Sequence, residues 1–252
     1  MGKKIFFLYP LGDVLAQIIQ RMISSEYEVY RLQKHAEVLA LIAGFSDSII
    51  FINIDAGLSL ADWKKFIQNF SSDPATKSAL VGLISENMQF SDQTEWLDSL
   101  SAYCGSVRLA AGLEEAAETV LAITDANGAM GQRQYVRFGG QGLEIAKFSF
   151  KFNAREHAGT VHDISSAGMS CTFETAIECD VGDSIGDIVL KLGESISTIS
   201  GRIIVKRRHD DEHDLFVVMF DKRLVAATRD SLHNFIHHSL QAQMDEKLAN
   251  LT

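Results

Sequence analysis

The chain reads as an α/β half followed by an all-β half that closes with a helix. Three observations predict this. Apolar runs of strand length alternate with helical periods as far as Ile123. The alternation stops in the small, turn-forming stretch TDANGAMGQ, which begins at Thr124. Beyond it, short strand-like segments follow one another without helices until a final amphipathic stretch. The expected organisation is a first domain over 1–123, a linker over 124–142, and a second domain over 143–252.

In the first half, Ile5 to Tyr9 is a compact apolar run of largely β-type residues. Val14, Leu15, Ile18, Ile19 and Met22 then recur at three- and four-residue spacing, which predicts an amphipathic helix over Leu11 to Ser24. A short strand is expected over Glu28 to Arg31, and a second helix from near His35, with Val38, Leu39, Leu41 and Ile42 on its apolar side. Ser48 to Ile54 is nearly all apolar and too short for a helix, so it suits a strand buried on both faces. Leu60 to Phe70 is helical, capped at Ser59 with Asp62 three positions on. Strands at Ala79 to Ile84 and Ser106 to Leu109 and helices at Gln93 to Leu100 and Leu113 to Ile123 complete the series. Five strands alternating with five helices imply a parallel sheet covered on both faces, the flavodoxin-like arrangement, and this half looks like a receiver domain.

The second half offers strands at Leu143 to Phe152, Gly159 to Asp163, Met169 to Glu174, Ser184 to Leu192, Ile196 to Arg207 and Asp214 to Phe220. Turn signals separate them: Val181 to Asp183, Leu192 to Ser195, and the charged run from His209 to Asp214. Six short strands so spaced predict a small antiparallel barrel or sandwich. The last helix, Leu224 to Ala249, carries Leu232, Ile236, Leu240, Met244 and Leu248 at four-residue spacing. That stripe must cover either the barrel's open end or a partner helix.

Composition excludes several function classes. A formal net charge of -10 provides no global basic field for nucleic acid or anionic membrane, so an anionic ligand must be held by local arginines. The three cysteines are widely spaced with no CxxC pair, which argues against a disulfide framework or a thiolate zinc site. The apolar run near the N-terminus is broken by Pro10 and Gly12 and reads as a strand, not a signal peptide. No segment approaches the ~20 apolar residues that span a bilayer. A cytoplasmic protein is expected.

Two clusters carry chemistry. Arg133 and Arg137 stand four apart just after the TDANGAMGQ stretch, and Asp163-Ile-Ser165-Ser-Ala-Gly168 lies at a strand end and turn. Arginine forks onto phosphate oxygens or the O6/N7 edge of guanine and stacks flat on a base. Asp163 can accept from the N1–H and N2–H donors of guanine, Ser165 can donate to phosphate or brace the turn, and Gly168 permits a close approach. Taken singly, the arginines are ordinary surface charges and the second cluster is a hairpin device.

Together these residues resemble the signature of the PilZ domain, RxxxR followed some tens of residues later by [D/N]xSxxG, and the resemblance covers the second half of the chain. It implies a six-stranded antiparallel β-barrel followed by a helix. It also implies a bacterial second-messenger receptor with cyclic diguanylate as ligand, no cofactor and no enzymatic activity. The ligand-binding residues carried over are Arg133, Arg137, Asp163, Ser165 and Gly168, with the arginine segment wrapping over the dinucleotide and changing the angle between the domains. A protein partner would dock on the receiver-like half or the last helix. Two other readings stay open: a scaffold whose barrel binds no ligand, and a response regulator driven by phosphorylation.

For phosphorylation the first half lacks parts. A receiver needs an acidic Mg²⁺ pocket after the first strand, an acceptor Asp after the third, a Ser/Thr after the fourth and a Lys after the fifth. Here only Asp13 follows the first strand, Asp55 lies two residues beyond Asn53, Ser85 sits at the fourth position, and no lysine occurs between Lys77 and Lys147. Asp55 is expected to serve a turn or cap, and the domain to be a degenerate receiver. His233, His237 and His238 on the last helix lack an HExxH pattern and read as solvated or interface residues. Lys206-Arg207-Arg208 reads as a solvated strand end, an extension of the anion site or a site for an acidic partner, and Gly139 to Gly142 as a hinge.

Overall fold

The computed structural model describes residues 2–86, 103–131, 134–140, 146–210 and 213–251. Arg133, the helix expected at Gln93 to Leu100, and Gln141 and Gly142 of the glycine run lie outside the described residues. The chain divides into two compact units, residues 1–134 with 244–252, and residues 135–243.

The first unit is a parallel sheet of β1 (Lys4–Leu8), β2 (Val29–Leu32), β3 (Ser48–Asn53), β4 (Leu80–Ser85) and β5 (Tyr103–Arg108) in the order β2-β1-β3-β4-β5. Its helices are α1 (Asp13–Ser24), α2 (Val38–Ala43), α3 (Leu60–Ser72) and α4 (Leu113–Ala126). Every residue of β3 is buried, as a central strand covered on both faces requires. The two-residue period sorts the core. Ile5, Phe7, Ile49 and Phe51 face Leu15, Ile18 and Met22 of α1 and Val120 of α4, with Phe7 stacked on Phe51 at 5.1 Å. Phe6 points to the opposite face and stacks on Tyr30 at 5.4 Å. Ser59 caps α3 by accepting the Asp62 N–H at 3.2 Å. The α4 helix runs three residues past its expected end at Ile123.

The second unit contains β6 (Arg137–Gly139), β7 (Ala146–Phe152), β8 (Arg155–Ser165), β9 (Gly168–Phe173), β10 (Ser184–Leu192), β11 (Ser195–Arg208), β12 (Asp214–Phe220) and α5 (Ala226–Ala249). The sheet runs β6-β8-β7-β10-β11-β12-β9, and a further β8–β9 pairing closes six of its strands into a ring. All the pairings are antiparallel. Inward residues of alternating strands make the core, in which Phe173 and Phe216 stack at 4.3 Å. Leu232 and Ile236 of α5 belong to that core, and Phe235 meets Phe138 edge-on at 6.0 Å. The first three positions of the helix's apolar stripe, Leu232, Ile236 and Leu240, therefore cover its own barrel. Burying each such side chain contributes about 1.5–3 kcal/mol.

Further local readings differ from the sequence expectation. Strand β6 was not expected, because three residues are too few to show a period. Strand β8 is longer than Gly159 to Asp163 because its polar ends are carried by ladder pairing with β7 and β9. His233 and His237 are buried rather than solvated, at 4% and 9% exposure. They flank the core-facing Leu232 and Ile236 on α5, so helix packing encloses them. His238 is exposed, its ring nitrogen 2.7 Å from the Asn234 carbonyl.

Candidate ligand-binding site

The site is built on the last residues of β8. A bulge between Val161 and Asp163 interrupts its two-residue alternation. As a result His162 and Asp163 are both half-buried between the buried Val161 and Ile164. A two-residue turn, Ser166–Ala167, then leads into β9.

Against this end lies β6. Its register sets Arg137 opposite Ser165, Phe138 opposite Ile164 and Gly139 opposite Asp163. Phe138 is 1% exposed and anchors the short strand in the core, which leaves Arg137 on the outside. The Arg137 Nη1 atom is 3.9 Å from Asp163 Oδ1, close enough for attraction but too long for a hydrogen bond. Asp163 Oδ2 accepts from Ser170 Oγ at 2.5 Å. One carboxylate oxygen is thus oriented by β9 while the other faces the guanidinium. This arrangement offers a cation and an acceptor side by side, which suits a ligand with phosphate and guanine groups.

Ser165 and Gly168 have a different geometry. Ser165 Oγ donates to the Gly168 carbonyl at 3.2 Å and accepts the Ala167 N–H at 3.3 Å, so the hydroxyl braces the turn. A Cβ on Gly168 would lie 2.4 Å from the Val218 carbonyl oxygen, so the glycine is required by close packing against β12. Gly139 is also close to its neighbour: a Cβ there would meet Asp163 Cβ at 3.0 Å. Gly140 takes a positive φ of 86°, a turn conformation that suits glycine. The structure thus brings Arg137, Asp163 and Ser165 together, gives Gly168 a packing function, and does not describe Arg133.

Sequence reasoning missed a second layer. The ring of His162 lies 4.9 Å from that of His209, and its Nε2 is 3.1 Å from Thr172 Oγ1. Burial holds the His162 imidazole below its ordinary pKa, His209 pushes the same way, and the charge of Asp163 opposes both. A groove of about 500 Å³ is lined by Gly140, Lys147, Thr160, His162 and Glu174 among others. Nothing in the spacing of His162 and His209 signals their meeting; only the bulge, once known, does. Of the basic run, Lys206 is held by the Cys179 carbonyl at 2.8 Å and Asp180 at 3.3 Å, and Arg208 lies 3.6 Å from Asp214.

In the first unit, Asp55 sits where β3 ends, with Oδ1 accepting from Ser85 Oγ at 2.7 Å and Oδ2 from the Glu86 N–H at 2.6 Å. Asn53 bridges the Tyr9 carbonyl and the Asp55 N–H. The carboxylate joins the ends of β3 and β4, as a turn residue does. Among the described residues, no group of three His, Cys, Asp or Glu side chains is placed to hold a metal ion.

The closed six-stranded barrel, with DxSxxG at one strand end and the second arginine of RxxxR paired against it, has the architecture that the resemblance to PilZ domains implies. The parallel sheet ahead of it, ordered β2-β1-β3-β4-β5, is receiver-like. Among solved structures, the chain is similar to the PilZ domain of YcgR from Escherichia coli, a structure with c-di-GMP. That likeness has 21% identity, covers 46% of this chain and 97% of that one, and has a TM-score of 0.39. It is also similar to the MrkH–c-di-GMP complex of K. pneumonia (17% identity, 47% of this chain and 57% of that one, TM-score 0.38). A third likeness is to a response regulator from Hahella chejuensis (12% identity, 50% and 94%, TM-score 0.41). The chain spans a little over half the length of MrkH. No family profile and no curated protein matches the sequence. The fold assignment rests on strand order and register rather than on these likenesses.

Proposed function

We propose that this protein is a receptor for cyclic diguanylate, binding the dinucleotide on the barrel through Arg133, Arg137, Asp163 and Ser165, with Gly168 setting the turn. The observation that carries this reading is the register of β6 on β8. It puts the second arginine of the first motif opposite the serine of the second, and within 3.9 Å of the aspartate. Arginine's fixed fork matches phosphate and the guanine O6/N7 edge, and the carboxylate complements guanine's donors.

The function is that of a non-enzymatic effector in the cytoplasm. Ligand acts by favouring one arrangement of the two units or one partner-binding surface, which requires that it bind the two states with different affinity. The receiver-like unit is then an interaction module. The tied carboxylate of Asp55 supports this over a phosphorylation-driven regulator. The test is isothermal titration of the full chain with cyclic diguanylate, beside Arg133→Ala and Arg137→Ala. Micromolar or tighter binding that is lost in both variants is expected. Absence of heat with the unaltered protein overturns the reading and leaves the barrel as a scaffold.

A further inference from the structure

Every interaction so far assigned to the ligand comes from the two motifs, yet the same strand end presents an imidazole that neither motif includes. His162 shares the β8 bulge with Asp163, is half-buried on the outer side of the barrel wall, and lines the groove beside Gly140. Its ring is met by the exposed His209, 4.9 Å away and tilted by 41°.

We propose that His162, backed by His209, is a further ligand-binding residue of this site, and that it takes up a proton when the dinucleotide binds. The proposal rests on the cyclic diguanylate reading and extends it to a group specific to this chain. Charged and titratable groups among the described residues come to His162 from several elements. On its own strand there is Asp163; from the β11–β12 turn comes His209; Lys147 of β7 and Glu174 beyond β9 line the same groove. Thr172 of β9, a neutral partner, holds Nε2. In the free protein, burial and the neighbouring imidazole favour the neutral ring. An anionic ligand seated on Arg137 adds negative charge near a ring that already senses Asp163. That charge favours the imidazolium, which can donate to a phosphate oxygen or to the guanine O6/N7 edge. The proton comes from hydronium or the buffer acid, whose bond to hydrogen breaks as the N–H bond of the imidazolium forms; no other covalent bond changes.

By linkage, binding must then tighten as pH falls. Each unit by which the ligand raises the ring's pKa strengthens binding about tenfold at acid pH relative to alkaline pH. The experiment is isothermal titration of the full chain with cyclic diguanylate at pH 6, 7 and 8, in buffers of different ionisation enthalpy. The proteins compared are the unaltered chain, His162→Gln and His209→Gln. Net proton uptake and tighter binding at pH 6 are expected for the unaltered protein. His162→Gln should still bind, with no uptake and an affinity indifferent to pH. His209→Gln should shift the uptake to higher pH, because it removes the competing imidazole. Binding without proton uptake, or uptake that survives His162→Gln, overturns this inference and leaves the receptor reading intact. No binding by the unaltered protein at any pH overturns both.

Discussion

Arg137 and Ser165 face each other across the antiparallel pairing of β6 and β8, so residues 28 positions apart in the chain occupy one rung of the barrel wall. The second arginine of the first motif and the serine of the second therefore share one structural unit, beside Asp163.

That rung is expected to separate recognition from stability. The Arg137–Asp163 pair is long and partly solvated, with side chains 53% and 38% exposed. Such pairs contribute about 0–1 kcal/mol. Arg137→Ala is expected to abolish cyclic diguanylate binding in titration while moving the urea midpoint of the barrel very little.

Gly168→Ala is expected to behave in the opposite way. The added methyl meets the Val218 carbonyl oxygen at 2.4 Å, and a backbone atom has little room to yield. Overpacking of this kind costs about 1–3 kcal/mol. Urea unfolding should show that loss without any ligand present; an unchanged midpoint would assign Gly168 to ligand contact instead.

The β7–β8 hairpin turns through Asn153 and Ala154, both at positive φ, 50° and 61°. Asparagine tolerates this conformation, but alanine is strained in it by about 1–2 kcal/mol. Ala154→Gly relieves the strain at the expense of a looser unfolded chain. A net gain of roughly 0.5–1 kcal/mol is expected in thermal or urea unfolding.

Asp55→Ala removes the acceptor used by the Ser85 hydroxyl and the Glu86 N–H. A destabilisation of about 1–2 kcal/mol in the first unit is expected. Acetyl phosphate should leave the unaltered protein unlabelled at Asp55, as judged by mass spectrometry; a phosphoaspartyl adduct would return the domain to the signalling receivers.

Alkaline pH should weaken the first unit. Burial, and then a hydrogen bond to Asp125, push the Tyr27 phenol up to about 12, and burial moves Tyr30 in the same direction. A phenol whose folded pKa is raised contributes stability that is complete below the unfolded value near 10. That stability is lost as pH climbs from there through about 12. Unfolding followed at several pH values should show this decline, and Tyr27→Phe should flatten it.

Much of this fold was legible in the sequence because the strands obey simple periods. Ser48 to Asn53 is apolar in its four central residues and is buried throughout; Ser184 to Leu192 has its expected bounds and alternates from Ile188 onward. The site was legible in part. Arg137, Asp163 and Ser165 announced themselves by type and spacing, but Gly168's contact is with β12, some fifty residues on, and no local pattern encodes it. His162 and His209 were illegible for a related reason. Their meeting depends on a bulge that breaks alternation at one residue, and on a turn whose charges suggested only solvation. The burial of His233 and His237 likewise follows from how α5 lies on the barrel, which periodicity alone does not fix.

The closed ring has a mechanical consequence. Strand β8 is gripped along one edge by β9 and along the other by β7 and β6, so it cannot slide without turning its inward side chains out. The wall that carries Asp163 is stiff. The arginine-bearing strand, held by three paired residues, is the compliant component. A ligand bridging the two would therefore displace the arginine-bearing strand before the wall.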